Sequence, residues 1–196
     1  MNHPRFIFTA LAATLVLAAC GGDPPPPPEP TGPTAAEIEA ARQDSIARAE
    51  AERARQQAIA DSIARAEAAR EAELREARAT LEEMVFFDYD ESSLRPEAEQ
   101  LLRRKAEILR ASPAVQIRIE GHADERGSTE YNIALGNARA ETVRQFFVSF
   151  GLSANRFAIT SYGEERPIAQ GSSETAWARN RRGEFVITAG ANEINP

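Results

Sequence analysis

The sequence predicts an α+β fold for residues 84–196, a sandwich in which helices pack on one face of a small sheet. Strand-like and helix-like segments alternate along this part of the chain, as is typical of two-layer domains. Most of the aromatic residues and glycines lie here, and roughly 110 residues suffice for one domain with its own core. The preceding residues divide by composition into three further segments, 1–19, 20–34 and 35–83.

The first segment has the form of a lipoprotein signal peptide. Arg5 gives it a positive start, and its apolar stretch is shorter than the about 20 residues of a membrane-spanning helix. Cys20 is the only cysteine, so the chain cannot form an internal disulfide. We expect lipidation of Cys20, because a bacterial lipobox ends there. The lipobox reads Leu17-Ala18-Ala19-Cys20.

The next two segments are predicted to be spacers. Residues 20–34 are rich in proline and should be extended. Residues 35–83 lack glycine and proline and consist mainly of alanine, glutamate and arginine, which predicts a long helix. The eight residues that start at Asp44 recur from Asp61. Large apolar residues are sparse and do not follow a heptad, so we expect a solvated single helix or a loosely self-associating one.

Hydrophobic patterns place six elements in residues 84–196. Apolar and polar residues alternate in the segment 115–120, whereas the longer helical segment shows an apolar stripe. Pro96 suits a first helical turn, and Gly151 ends the second helix. The predicted elements are a strand at 84–87, a helix at 96–110, a strand at 115–120, a helix at 130–150 and strands at 157–162 and 184–188.

The overall charge argues against one class of partner. The chain has 23 Lys plus Arg against 30 Asp plus Glu, and its formal net charge is −7. Nucleic-acid binding needs a basic face for phosphate contacts, so we expect no nucleic-acid partner.

The strongest candidate site lies where the second predicted strand leads into the long helix. Loop 121–128 is charged and bounded by glycine, and the following helix carries Arg139 in the middle of its apolar face, between Phe146 and Phe150. A buried arginine is costly unless it is paired, and Asp124 in the loop is the natural counter-charge. A guanidinium beside a carboxylate suits a zwitterionic ligand. The alternative is a buried ion pair that only fixes the helix against the loop.

Two other interpretations of this loop have less support. His122 and Asp124 could be metal ligands, but His122 is the only histidine outside the signal segment, so we expect no metal site. Ser128 could join those two residues in a hydrolase triad, but the three are crowded into one loop without an oxyanion motif. We therefore interpret His122 as a structural turn residue and expect neither catalysis nor a cofactor.

Residues 84–188 resemble the OmpA-like peptidoglycan-binding domain family, and most closely its peptidoglycan-associated lipoprotein (Pal) branch. The motif Gly-His-Ala-Asp-Glu-Arg-Gly at 121–127 is specific to that branch. The resemblance covers a little over half of the chain and implies a small mixed sheet with helices packed on it. Further matching segments lie at 85–90, 130–132, 161–167 and 180–182.

The resemblance implies a ligand, the stem peptide of peptidoglycan with meso-diaminopimelate at its centre. Asp124 and Arg139 match the pair that grips the amine and the carboxylate of diaminopimelate. Asp90 matches a residue that lines the pocket, partly through backbone amides. The other matched pocket positions are Arg126, Ser128, Asn132 and Leu135.

The resemblance also implies a structural role. Proteins of the Pal branch tether the outer membrane to the cell wall and bind the periplasmic propeller protein TolB within the Tol–Pal system, which acts in cell division. Gly21 stands where an aspartate commonly marks inner-membrane retention, so we expect anchoring in the outer membrane on its periplasmic face. Two alternatives to this tethering function remain: the chain is a generic OmpA-like lipoprotein without a Tol partner, or it is a cell-wall enzyme. An enzyme would need a nucleophile, a metal site or an acid with a raised pKa, and none is visible.

Overall fold

The computed structural model describes residues 32–196, so the signal segment, Cys20 and most of the proline-rich segment lie outside the described residues. The described residues fall into two units, 32–54 and 55–196. Every residue from 32 to 54, the described part of the first unit, is exposed. Within the described residues, no helix combines the length and the apolarity needed to cross a bilayer.

The predicted long helix is present as α1, Ala35–Glu82. It begins with a capping box: the Thr34 hydroxyl accepts a hydrogen bond from the backbone N–H of Glu37, and the Glu37 carboxylate accepts one from the N–H of Thr34. Its large apolar residues as far as Ile63 are about half exposed. The helix is therefore solvated over most of its length, as the alanine-rich composition predicts.

Four strands form the predicted mixed sheet. β1, Val85–Phe86, pairs antiparallel with β4, Arg182–Ala189. β4 also pairs antiparallel with β2, Gln116–His122, and β2 pairs parallel with β3, Phe157–Gly163. The order across the sheet is β1-β4-β2-β3, so β1 and β3 are the edge strands.

Two helices, α2 (Pro96–Ala111) and α3 (Thr129–Ser149), share one core with the sheet, which confirms the predicted α+β sandwich. A short helix, α4 (Glu174–Asn180), and a 3-10 turn at Ala154–Arg156 were not predicted. The apolar residues of β2 alternate with polar ones, so the two faces of the sheet differ in character. The core includes Leu101, Leu102, Leu109, Ile117, Ile119, Val143, Phe147, Phe157 and Phe185.

The last turns of α1 belong to the same core. Ala77 and Leu81 are buried, and Leu81 has no exposed surface. The amine of Lys105, the only lysine in the sequence, donates to the carbonyl oxygens of Leu81, at 2.8 Å, and Glu83. It also lies 3.4 Å from the centre of the Phe185 ring, and burial lowers its pKa to about 6. The core therefore begins before residue 84, and the end of α1 is more than a spacer.

Helix α3 meets strand β2 at two glycines. A Cβ atom added to Gly121 would lie 1.8 Å from the carbonyl oxygen of Gly136. A Cβ atom on Gly136 would lie 2.3 Å from the Ser161 hydroxyl and 2.8 Å from the carbonyl oxygen of Gly121. This close approach holds the N-terminal half of α3 against the end of β2, where loop 121–128 begins.

We expect Gly136→Ala to destabilise the fold, although alanine is the better helix former by about 1 kcal/mol. The added methyl group would meet backbone atoms that cannot rotate away, and overpacking costs about 1–3 kcal/mol. Urea unfolding followed by circular dichroism measures the change. Asn137→Ala, at the exposed neighbouring position, is the matched control and should not lower stability. An unchanged urea midpoint in Gly136→Ala would contradict the tight contact.

Candidate functional site

A cavity of about 130 Å³ lies between the loop after β1, loop 121–128 and the first turns of α3. It brings together six of the seven pocket residues that the family resemblance indicates, and Ser128 is the exception. It also contains three residues that sequence reasoning did not single out. The lining residues are Tyr89, Asp90, Asp124, Arg126, Gly127, Tyr131, Asn132, Leu135 and Arg139.

Ser128 begins α3 instead of lining the cavity. Its hydroxyl accepts a hydrogen bond from the backbone N–H of Tyr131 at 3.2 Å, which is the role of an N-cap residue. The Tyr131 hydroxyl donates to the carboxylate of Asp90, and Asp90 has a left-handed backbone with a φ of 58°. The start of α3 and the turn that carries Asp90 are thereby joined at the pocket rim.

Arg139 is fully buried at the pocket floor and is held by backbone carbonyls. Its Nε donates to the carbonyl oxygen of Glu91 at 2.8 Å, its Nη1 to that of His122 at 2.7 Å, and its Nη2 to that of Asp88 at 3.0 Å. The expected direct ion pair with Asp124 is wrong: within residues 32–196, backbone carbonyls of the loop after β1 and of the last residue of β2 bond the guanidinium instead. One N–H on each terminal nitrogen remains beyond these three bonds.

Among residues 32–196, the carboxylates that compensate the charge of Arg139 act only from a distance. Burial and the positive charge of Arg181 lower the pKa of Arg139 to about 10, against the opposing effects of Asp124 and Asp90. The guanidinium stays cationic at neutral pH. A desolvated cation with spare N–H groups facing a cavity is a receptor for an anionic group.

Asp124 is paired with two other arginines. Its Oδ1 accepts from the backbone N–H of Arg126 at 3.1 Å and from Nε of Arg126 at 3.0 Å. Its Oδ2 accepts from Nη2 of Arg126 at 2.6 Å and from Nη1 of Arg181 at 3.2 Å. Burial raises the pKa of Asp124, but the hydrogen bonds from these arginines outweigh it and lower the pKa overall. The carboxylate is therefore ionised and held in one orientation.

Arg126 is fixed at the pocket rim by two aromatic rings. Its guanidinium carbon lies 3.9 Å from the centre of the Tyr89 ring and 4.1 Å from that of Trp177. A second carboxylate, that of Glu174, lies 3.7 Å from its Nη1. Two nearby aromatic rings and two nearby carboxylates restrict the motion of this side chain.

Asn132 and Leu135 line the side of the cavity formed by α3. The Asn132 side chain is buried, and its amide donates to the carboxylate of Glu164. Glu164 also accepts a hydrogen bond from the Thr129 hydroxyl at 2.9 Å, so the segment after β3 ties down the first turn of α3. Leu135 is half-buried and supplies apolar surface beside the charged groups.

Sequence reasoning missed several residues that support the pocket. Tyr89 and Tyr131 adjoin matched positions, so their neighbourhood in the sequence was an available signal. Trp177 and Arg181 lie 52 and 57 residues from the loop residues that they contact, Glu125 and Asp124, and reach them only through the fold. No spacing in the sequence indicates such contacts.

His122 ends β2 and is not the turn residue that the sequence suggested. It is 1% exposed, and neither ring nitrogen has a hydrogen-bond partner in the described part of the chain. Glu120 and Glu184 place carboxylate oxygens within 4.8 Å of the imidazole and of each other, a spacing that a metal ion could use. Both carboxylates are already bonded by arginines, Glu120 by Arg118 at 2.7 Å and Glu184 by Arg182 at 2.6 Å. Those cations would repel a metal ion.

The buried imidazole predicts acid destabilisation. Burial and the positive charge of Arg182 lower the pKa of His122 to about 4. An unfolded histidine takes up its proton near pH 6.5, whereas His122 in the folded protein does so only near pH 4. The unfolded state is therefore increasingly favoured as the pH falls from about 6.5 to about 4, by up to about 3 kcal/mol in total. Urea unfolding at pH 7 and pH 5 should show a loss in the wild type that His122→Phe lacks. Equal pH dependence in the two proteins would contradict the assignment to His122.

The fold and the pocket define a two-layer α+β domain with a charged cavity at the end of its sheet. The model of the OmpA family matches residues 86–181. The crystal structure of the peptidoglycan-associated lipoprotein from Burkholderia pseudomallei is similar with a TM-score of 0.53 and 40% identity, over 54% of this chain and 89% of that chain. The chain belongs to the OmpA family, which confirms the resemblance.

Curated relatives support the same branch. A peptidoglycan-associated lipoprotein from Brucella melitensis is 48% identical over 103 residues, which cover 53% of this chain and 61% of that protein. One from Pseudomonas aeruginosa is 46% identical over 100 residues, which cover 51% of this chain and 59% of that protein. The chain thus spans about 60% of the length of the curated relatives it matches.

Proposed function

We propose that this chain binds peptidoglycan non-covalently and tethers the outer membrane to the cell wall, without catalysis. Relatives at nearly half identity carry the name peptidoglycan-associated lipoprotein. The observation that carries the proposal is the fully buried Arg139. Its carbonyl partners leave one N–H on each terminal nitrogen, so two donors remain for a ligand carboxylate.

The proposed ligand group is the end of the meso-diaminopimelate side chain in the stem peptide. It carries a carboxylate and an ammonium on one carbon, so Arg139 takes the carboxylate while Asp124 attracts the ammonium. Because Arg126 already bonds Asp124, the ligand ammonium has to share that carboxylate. A cavity of about 130 Å³ fits such a side-chain end and leaves the rest of the ligand outside. Asp90, Asn132 and Leu135 complete the proposed contacts, and Ser128 acts by starting α3.

Pull-down on purified sacculi tests this proposal. The mature chain carrying Cys20→Ser should sediment with sacculi, and muropeptides that contain diaminopimelate should compete. Muropeptides with an amidated diaminopimelate carboxylate, or with lysine in its place, should compete poorly because the fork at Arg139 loses its partner. Equal competition by the lysine form would reject the ligand assignment. Cleavage products after prolonged incubation would reject a purely binding function.

The proposal includes a place in the Tol–Pal system through a TolB-like periplasmic partner. It rests on membership of the family branch, since no contact in residues 32–196 identifies a protein partner. Crosslinking in cells followed by mass spectrometry tests it, and a Tol operon beside the gene would agree with it. A protein that crosslinks to peptidoglycan but to no propeller protein would instead be a generic OmpA-like tether.

The lipid anchor carries its own prediction. Cys20→Ser should abolish lipidation, because the thiol is the acceptor in a lipobox, and the protein should stay in the periplasm or remain as precursor. Metabolic labelling with palmitate, followed by membrane fractionation, measures both effects. Palmitate that persists in Cys20→Ser would contradict the anchor, whereas labelling lost from an intact protein supports it.

A further inference from the structure

We infer that Arg181 is a positioning residue, which holds the Asp124 carboxylate in place and joins the two walls of the pocket. Its effect on ligand binding rests on the proposed function, whereas its effect on Asp124 does not. Arg181 follows α4 and is 5% exposed. It is absent from the residues that line the cavity, so it acts through Asp124 and not by touching the ligand.

The three nitrogens of Arg181 contact three separate segments. Nε donates to the carbonyl oxygen of Phe87 at 3.1 Å, at the end of β1. Nη1 donates to Oδ2 of Asp124 at 3.2 Å, and Nη2 donates to the Glu174 carboxylate at 2.7 Å. A planar guanidinium makes these bonds in fixed directions, which a lysine ammonium cannot reproduce.

These contacts relate the two proposed recognition groups to each other. Phe87 precedes Asp88, whose carbonyl oxygen accepts a hydrogen bond from Nη2 of Arg139. Arg181 therefore fixes the Asp124 carboxylate on one side and, on the other, the backbone that holds Arg139. Arg181 therefore helps to set the separation between the anion receptor and the carboxylate.

Arg181 and Arg126 have different parts in this arrangement. Arg126 is 28% exposed, lines the cavity and meets any cationic group that approaches Asp124. Arg181 contacts the same carboxylate from outside the cavity, so its hydrogen bond persists when Arg126 shares Asp124 with a ligand. From this position, Arg181 keeps the Asp124 carboxylate ionised and directed into the pocket.

Charged side chains from each element that packs against Asp124 surround its carboxylate. Among them, only the two arginines that are bonded to its oxygens donate hydrogen bonds to the carboxylate within residues 32–196. Removing Arg181 should therefore raise the pKa of Asp124. The charged groups are Glu125 and Arg126 from its own loop, Arg139 from α3, Asp90 from the loop after β1, and Glu174 and Arg181 from α4 and its end.

Two substitutions at Arg181 separate charge from geometry. In the mature chain carrying Cys20→Ser, Arg181→Gln removes both, whereas Arg181→Lys restores only the charge. Carbon-detected NMR titration of the Asp124 carboxyl without ligand should show a raised pKa in Arg181→Gln and a smaller rise in Arg181→Lys. Titration with a diaminopimelate muropeptide at pH 7 should show about tenfold weaker binding or more in both, because residues that orient metal ligands contribute about 10–100-fold and Arg181 orients Asp124 in the same way. In Arg181→Gln, the pH below which muropeptide binding is lost should be higher than in the wild type.

Arg182→Gln is the matched control. Arg182 is the buried neighbour of Arg181, but its guanidinium bonds Glu184 and the carbonyl oxygen of Arg166 instead of Asp124. This variant should lose stability and keep both the Asp124 titration and the affinity. If Arg182→Gln shifted both as far as Arg181→Gln does, the effect would be general loosening and the inference would fail.

Unaltered Asp124 titration and affinity in a folded Arg181→Gln protein would also overturn the inference. If Arg181→Gln does not fold, Arg181→Lys decides, since wild-type affinity in that variant would contradict a geometric role. A wild-type protein that binds no muropeptide would reject the proposed function, while the NMR titration would still decide whether Arg181 positions Asp124.

Discussion

Arg139→Ala is expected to weaken binding of diaminopimelate muropeptides by about thirtyfold to several thousandfold, which corresponds to roughly 2–5 kcal/mol. The guanidinium is fully buried, and its two remaining N–H groups are the ones proposed to take the ligand carboxylate. Arg139→Lys should fail as well, because an ammonium cannot bond three carbonyls and a carboxylate in the directions of a planar fork.

The same substitution should cost stability, so folding has to be measured beside binding. Arg139→Ala leaves the carbonyl oxygens of Asp88, Glu91 and His122 without their donor. The bond to His122 is buried, and a buried group left unsatisfied costs about 1–3 kcal/mol. Circular dichroism and urea unfolding identify the variants that remain folded, and muropeptide titration then gives the affinity.

Asp124→Asn completes this comparison. It removes the charge proposed to attract the ammonium and weakens the bonds from Arg126 and Arg181, so binding should fall while the carbonyl set around Arg139 stays intact. Arg144→Ala, at a half-buried position on α3 away from the cavity, is the control and should bind normally. Wild-type affinity in a folded Arg139→Ala protein would end the binding-site assignment and leave Arg139 as a purely structural residue.

The parts of the fold that sequence predicts are those with strong local patterns. The strand at 115–120 alternates strictly between apolar and polar residues, and the helix at 130–150 carries an apolar stripe, so both were found close to their observed bounds. Helix α4 was missed because seven residues contain too few turns to show a period.

The candidate site was located by one anomaly, an arginine on an apolar helix face, but its partners were not predictable. A local pattern indicates that Arg139 needs compensation, and a charged side chain is the natural guess. The observed partners are carbonyl oxygens whose positions depend on how the loop after β1 and the end of β2 meet α3. For the same reason Gly136, which in sequence resembles a weak point of the helix, is required by the contact with Gly121.

A chain that begins at Met84 is expected to be less stable than one that begins at Arg70, by about 4 kcal/mol or more. The shorter chain lacks Ala77 and Leu81, and loss of one fully buried leucine side chain alone costs about 2–5 kcal/mol. The truncation also removes both carbonyl oxygens that accept from the Lys105 amine. This loss adds about 1–3 kcal/mol to the destabilisation if the amine stays buried.

Urea unfolding of the two chains measures this difference, and Leu81→Ala in the full mature chain should reproduce about half of it. Two controls isolate the end of α1 from the rest of the helix. Ile63→Ala, at a half-exposed position, should change stability by less than about 0.5 kcal/mol. Deleting residues 45–61, one repeat unit, should leave both stability and sacculus binding of the non-lipidated chain unchanged. Equal stability of the chains that begin at Met84 and Arg70 would show that the last turns of α1 do not belong to the core in solution.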